Sequence, residues 1–154
     1  MSTRFFPFLI FKNAKEALEY YQEQFGAKVL FRKPMTEEQV QRLGIQVDNL
    51  DNTTAHAEFS IAGQVILCAD ATMGEPQSSS QVALVLDFGD DMAAAEELFN
   101  HLASSDLQRV TLPFGPHQLG GKMGYLVDRY GITWVICAGI VQAVGKMADQ
   151  QQSR

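Results

Sequence analysis

The chain has 154 residues, 46% hydrophobic and 19% charged, which fits one globular folding unit able to bury a core without disulfides or structural metal, and argues against overall disorder. A formal net charge of -6 and a pI near 4.9 argue against the broad basic surface that nucleic-acid or anionic-membrane binding requires. No stretch approaches the apolar length of a membrane span, and the opening apolar run reads as a strand and not as a signal peptide, so a soluble, cytoplasmic protein is expected.

Residues 5–11 are apolar apart from Pro7 near their start, the pattern of a buried strand with its missing donor at an entry or edge position. Asn13 then caps a helix in which Ala14, Ala17, Leu18, Tyr21 and Phe25 recur at helical spacing, and Gly26 supplies the stop. A strand over 27–33 ends at Pro34. Thr36 followed by Glu37, Glu38 and Gln39 has the form of a capped helical turn reaching Leu43, inside a long polar connection at 35–53 that reads as a flap or a dimer contact. Strands at 54–61 and 64–69 flank Ala62-Gly63, a two-residue hairpin turn. Residues 72–81, TMGEPQSSSQ, form an exposed linker that divides the chain almost in half.

The second half begins again. A strand at 82–87 leads to Asp90 or Asp91 as helix cap, with Met92, Ala95, Phe99 and Leu102 as the apolar stripe. A strand at 109–113 is followed by a glycine-containing loop at 114–122, and Tyr130-Gly131 turns a final hairpin. Residues 140–154 read as a short helical stretch fading into a polar tail. Cys68 and Cys137 lie in corresponding strand ends, Leu-Cys-Ala and Ile-Cys-Ala, where a buried thiol is expected and a disulfide is not. The order strand, helix, strand, strand, strand occurs twice. An α+β fold follows: tandem βαβββ repeats at 5–70 and 82–138, within a single domain over 1–154, forming two curved mixed sheets around a cleft.

At FPFLIFKNAKEALEYYQEQFGAKV, HAEFSIAGQVILCAD and VTLPFGPHQLGGKMGYLVDRYGITWVICA the chain resembles the PhnB-like branch of the vicinal-oxygen-chelate superfamily, which includes glyoxalase, bleomycin-resistance and dioxygenase proteins. The resemblance implies the glyoxalase-like fold, a homodimer and a small-molecule ligand. It also implies metal ligands on the first, fourth, fifth and eighth strands. The corresponding residues are Phe6, Pro7 and Phe8; Ile66, Leu67 and Cys68; Gln81, Val82 and Ala83; and Trp134, Val135 and Ile136. Only Gln81 offers a side-chain oxygen, whereas a divalent cation needs at least three donors, so no metal and no cofactor are expected. Relatives often carry a demethylubiquinone methyltransferase label, yet no strand–glycine–helix unit for a nucleotide-type methyl donor occurs in the sequence.

Alternation over 54–61 sets Ala57, Phe59 and Ile61 on the helix side and His56, Glu58 and Ser60 on the other. His56 and Glu58 are therefore the candidates for acid–base chemistry as well as ligand contacts, with a solvated edge as the plainer reading. Gln81, His117, Gln118, Lys122, Tyr125 and Trp134 complete the candidate ligand residues, the loop members by overhanging the cleft and the aromatics as walls, although Trp134 also fits a core position. Asp70 and Asp128 read as acceptors for turn amides. The leading expectation is a metal-independent small-molecule-binding dimer that touches neither nucleic acid nor membrane. The alternatives are a metal-dependent lyase, isomerase or dioxygenase using His56, Glu58 and Gln81, and a dimeric interaction module with a closed cleft.

Overall fold

A computed structural model of the chain describes residues 2–140; the expected tail at 140–154 lies, from residue 141 onward, outside the described residues. The chain divides into two compact units, Met1–Gln77 and Ser78–Arg154. The first contains β1 (Phe8–Phe11), α1 (Ala14–Phe25), β2 (Lys28–Lys33), α2 (Glu37–Leu43), a short 3-10 turn (Leu50–Asn52), β3 (His56–Ile61) and β4 (Gln64–Asp70). The second contains β5 (Ala83–Asp87), α3 (Met92–Ala103), β6 (Arg109–Pro116), β7 (Lys122–Val127) and β8 (Thr133–Ala138). Each unit holds an open four-stranded sheet, ordered β1-β4-β3-β2 in one and β5-β8-β7-β6 in the other. The first and last strands of each unit pair in parallel and the remaining pairs are antiparallel. Apart from the insertion carrying α2, the two units share one topology, the βαβββ pattern read from the sequence.

In the first unit the Asn13 side chain accepts the Glu16 N–H, and Gly26 ends α1 in the left-handed region at φ 67. One face of α1 buries Ala17, Leu18, Tyr21 and Phe25 on the sheet. Tyr21 stacks on Phe59 with ring centroids 5.4 Å apart and meets Phe11 and Phe25 at 5.9 and 5.2 Å, so α1, β1 and β3 share one aromatic cluster. Asp70 joins strand to helix, its two carboxylate oxygens accepting the N–H groups of Ala14 and Thr54 at 2.7 and 2.9 Å. The connection at 35–53 is held at its ends: Arg32 donates to the Thr53 and Asp51 carbonyls, and Met35 N–H to the Thr53 hydroxyl. Within it α2 carries the expected Thr36–Gln39 capping box and buries no residue.

In the second unit Asp91 caps α3, and Ala95, Phe99 and Leu102 form its buried stripe. Phe99 lies over Gly124 of β7, where an added Cβ would stand 2.5 Å from the ring, and stacks on Phe114 at 5.3 Å. The glycine makes room for the aromatic ring. Val127 pairs with Thr133 and Asp128 N–H donates to the Ile132 carbonyl, so the closing hairpin turns through three residues, Arg129 to Gly131, in place of the expected two. The cause is Asp128, whose Oδ1 accepts the N–H groups of both Tyr130 and Ile132 and draws the chain around itself. The hairpin at Ala62-Gly63 keeps its two-residue form by holding Ala62 at φ 50, a region costly for a residue with a Cβ.

The sequence placed a loop at 114–122. In the structure β6 continues to Pro116, because two register shifts, between Val110 and Leu112 and between Leu112 and Gly115, absorb Pro113 on an edge strand. The loop contracts to residues 117–121. Gly121 lies at φ 65 with its Cα against the backbone of Ala138 and Gly139, so tightly that any Cβ would overlap the Ala138 carbonyl.

Both cysteines are free and buried. Burial, with the nearby Asp70 charge, pushes the Cys68 thiol up to about 12, and burial, with Asp87 beside it, pushes Cys137 up to about 11. Both thiols stay protonated and inert at neutral pH.

Two measurements follow. Gly121→Ala should lower stability by about 2 kcal/mol or more, read from urea denaturation, because strained φ and backbone overlap act together. A thiol reagent at pH 8 should label neither cysteine until the chain unfolds. The folded thiols titrate above the ordinary value of 9.0, so their stabilising contribution is complete below pH 9 and declines as pH rises toward 11–12.

Candidate functional site

With α1 on one face of the first sheet, the alternation of β3 sends Ala57, Phe59 and Ile61 to the helix and His56, Glu58 and Ser60 to the open face. Register then places neighbours there. Leu67 opposes both Glu58 and Phe8, Phe31 opposes Glu58, and Lys33 opposes His56. The His56 ring stands between two phenylalanines, 6.3 Å from Phe8 with planes inclined 26° and 6.3 Å from Phe31 at 48°. Its Nε2 lies 3.4 Å from Glu58 Oε1, with the two side chains 38% and 42% exposed. At that distance and exposure the contact is a weak orienting one. Phe8 and Phe31 remain 49% and 47% exposed, so roughly half of each ring is open to whatever occupies this face.

His56 and Glu58 are thus brought together as the alternation predicts, joined by Phe8, which the sequence offers only at a chelate position, and by Phe31, which it does not mark. Phe31 escapes sequence reading because a register irregularity between Val29 and Phe31 interrupts the period of β2. Phe8 belongs to a run in which every residue is apolar, which gives alternation nothing to distinguish.

The other candidates belong to the second unit and do not form one cluster. Tyr125 lies on the open face of its sheet, opposite Val135 and Leu112, with Val85 beyond Val135. Trp134 alternates to the α3 side, is 1% exposed, and donates its indole N–H to Asp128 Oδ2 at 2.8 Å. Its place is in the core, where a ligand wall is not available. Lys122 begins β7 in phase with Gly124 and so points to α3, where Nζ lies 3.2 Å from Glu96 Oε1. His117 closes the short loop: its Nδ1 accepts the Leu119 N–H at 3.1 Å, its carbonyl the Gly120 N–H, and its own N–H donates to the Gly121 carbonyl. Gln118 is exposed at the loop tip, and Gln81 is exposed ahead of β5, its N–H on the Ser79 hydroxyl.

The superfamily's metal can be tested against these donors. Phe8 and Leu67, which face each other across the parallel pair β1–β4 on the open side, offer carbon, as does Val135 of β8. His56 and Glu58 supply two ligands, one short of the minimum, and among the described residues no three His, Cys, Asp or Glu side chains come together as a metal would require. The residues do not fit the group.

Two mixed sheets, each backed by one helix and built on repeated βαβββ units, form the glyoxalase-like fold, and the family model matched over residues 3–137 makes the chain a member of the vicinal-oxygen-chelate superfamily. More narrowly, it belongs to the 3-demethylubiquinone-9 3-methyltransferase family, the PhnB-like branch, whose model matches residues 3–137. It is 26% identical to Protein YjdN of Escherichia coli K12 over 137 residues, covering 84% of this chain and 91% of that protein. The structure of a PhnB protein from Bacillus cereus, described as a putative 3-demethylubiquinone-9 3-methyltransferase, superposes with a TM-score of 0.66 at 22% identity, covering 89% of this chain and 100% of that one. The fosfomycin resistance protein FosX of Listeria monocytogenes superposes at 0.61 with 15% identity, over 92% and 96% of the two chains. At these identities the superpositions establish the fold.

The Asp128–Trp134 pair gives a direct test of the core assignment. Asp128→Ala removes the acceptor of three N–H groups, two of them backbone, and should cost about 3 kcal/mol of stability while shifting the emission of the single tryptophan to the red.

Proposed function

We propose that the chain is a small-molecule-binding protein of the vicinal-oxygen-chelate fold that works without the superfamily's metal, its ligand resting on the open face of the first sheet against Phe8, Phe31, His56 and Glu58. The observation that carries this reading is the half-exposed pair of phenylalanine rings on either side of His56, with Glu58 oriented on the imidazole. A flat or apolar group gains by covering the rings, and the imidazole and carboxylate give it one donor and one acceptor to satisfy. The apolar identity of the chelate positions supports a ligand held by contact and hydrogen bonds in place of a metal bridge.

Methyl transfer, which the family's description carries, finds no support in the local chain. Only Lys12 and Asn13 separate β1 from α1, with no glycine-rich turn to hold a nucleotide-type donor. The open sheet faces favour a homodimer: Phe8, Ile10 and Phe31 on one sheet and Val85, Leu112 and Tyr125 on the other are each more than one third exposed. Free buried thiols agree with a cytoplasmic setting. Among the described residues no helix is long and apolar enough to cross a membrane.

Native mass spectrometry and calorimetry of the full chain against aromatic, thiol-bearing and fosfomycin-like compounds test the reading, with elemental analysis of protein purified without chelator alongside. Saturable binding that Phe31→Ala or Phe8→Ala weakens about tenfold is the expected outcome. Silence across the panel, or stoichiometric bound metal, would sink it.

A further inference from the structure

The second unit carries an open hollow of about 460 Å³ where β6 begins and β7 ends, lined by Asp106, Leu107, Gln108, Arg109, Val127, Asp128 and Arg129. Arg109 enters it from the first position of β6, directly across the ladder from Val127, and Arg129 from the turn that follows Val127 by two residues. Two arginines thus line one cavity in a protein whose formal charge is -6. Among the described residues Arg109 makes no ion pair or side-chain hydrogen bond. The Arg129 guanidinium carbon lies 6.0 Å from the centroid of the Tyr130 ring.

The floor is rigid and its acid is occupied. Asp128 is buried and its carboxylate accepts the N–H groups of Tyr130 and Ile132 and the indole of Trp134. Gln108 is buried beside it, its amide donating to the Leu102 carbonyl at 2.7 Å. The turn that presents Arg129 is fixed by the same carboxylate, so little ordering remains to be done when a ligand arrives. Asp106 is the remaining charge at the cavity, exposed in the segment before β6.

We propose that this hollow is a second binding site, independent of the first sheet, that takes a small oxyanion, a carboxylate or a phosphate group, between Arg109 and Arg129. The chemistry is that of the guanidinium fork, which presents paired N–H donors matched to the two oxygens of a carboxylate or phosphate and stays charged at every physiological pH. Asp106 opposes the ligand's charge and tunes the affinity downward.

Inorganic phosphate and succinate are the probes, titrated into the full-length chain and followed by amide chemical shifts and calorimetry. Saturable shifts centred on residues 106–109 and 127–130 are expected, weakening as sodium chloride is raised. Arg109→Gln and Arg129→Gln should each weaken binding about tenfold. Both side chains are exposed, so the fold, checked by circular dichroism, is retained. Asp106→Asn should tighten binding a few-fold by removing the opposing charge, an effect that a purely structural role would not produce. Linear, unsaturated shifts with both probes, or a loss of affinity in Asp106→Asn with the fold intact, would overturn the proposal. Neither result bears on ligand binding at Phe8, Phe31 and His56.

Discussion

A four-stranded sheet has two faces, and each unit of this chain packs one buried amphipathic helix against its sheet. That shortage governs the rest. In the first unit α1 takes Phe59, Ile61 and the other inward residues of the sheet, and the opposite side is left with Phe8, Ile10 and Phe31 more than two fifths exposed. In the second, α3 takes Phe99's surroundings and Trp134, and leaves Val85, Leu112 and Tyr125. Apolar side chains on a persistent open face carry a standing free-energy incentive to be covered. The biology of the molecule is therefore a matter of what covers them.

The chemistry available to a ligand on the first sheet is narrow. Strand alternation delivers one imidazole and one carboxylate to the same face, and the register surrounds them with rings and aliphatic groups. That composition differs from a chelating site at its root: among the described residues no three His, Cys, Asp or Glu side chains come together. The fold has been retained with a different lining, which fits the general experience that function resides in a site and not in the scaffold beneath it.

Much of this was legible in the chain itself, where local chemistry determines local shape. The caps Asn13, Thr36 and Asp91, the stop at Gly26 and the stripes of α1 and α3 each announce themselves by residue type and spacing. The shared face of His56 and Glu58 follows from a period of two. What the sequence concealed depends on contacts between distant segments. The extra turn residue at 129–131 exists because one carboxylate gathers donors from both sides of it, and the extension of β6 needs two register shifts that no local pattern signals. Phe31 joins His56 only through an irregular strand, Gly121 is dictated by the backbone of Ala138 lying against it, and Arg109 and Arg129 come to line one hollow only once β6 is paired to β7.

The shielding of Cys68 and Cys137 has a practical side. With its two native sulfurs locked away in strands β4 and β8, the protein can be handled in air without added reductant, and a cysteine engineered on the surface would be the sole chemically addressable handle. Dyes, spin labels or supports could then be attached at any chosen point of either sheet, one per chain, without first rebuilding the interior.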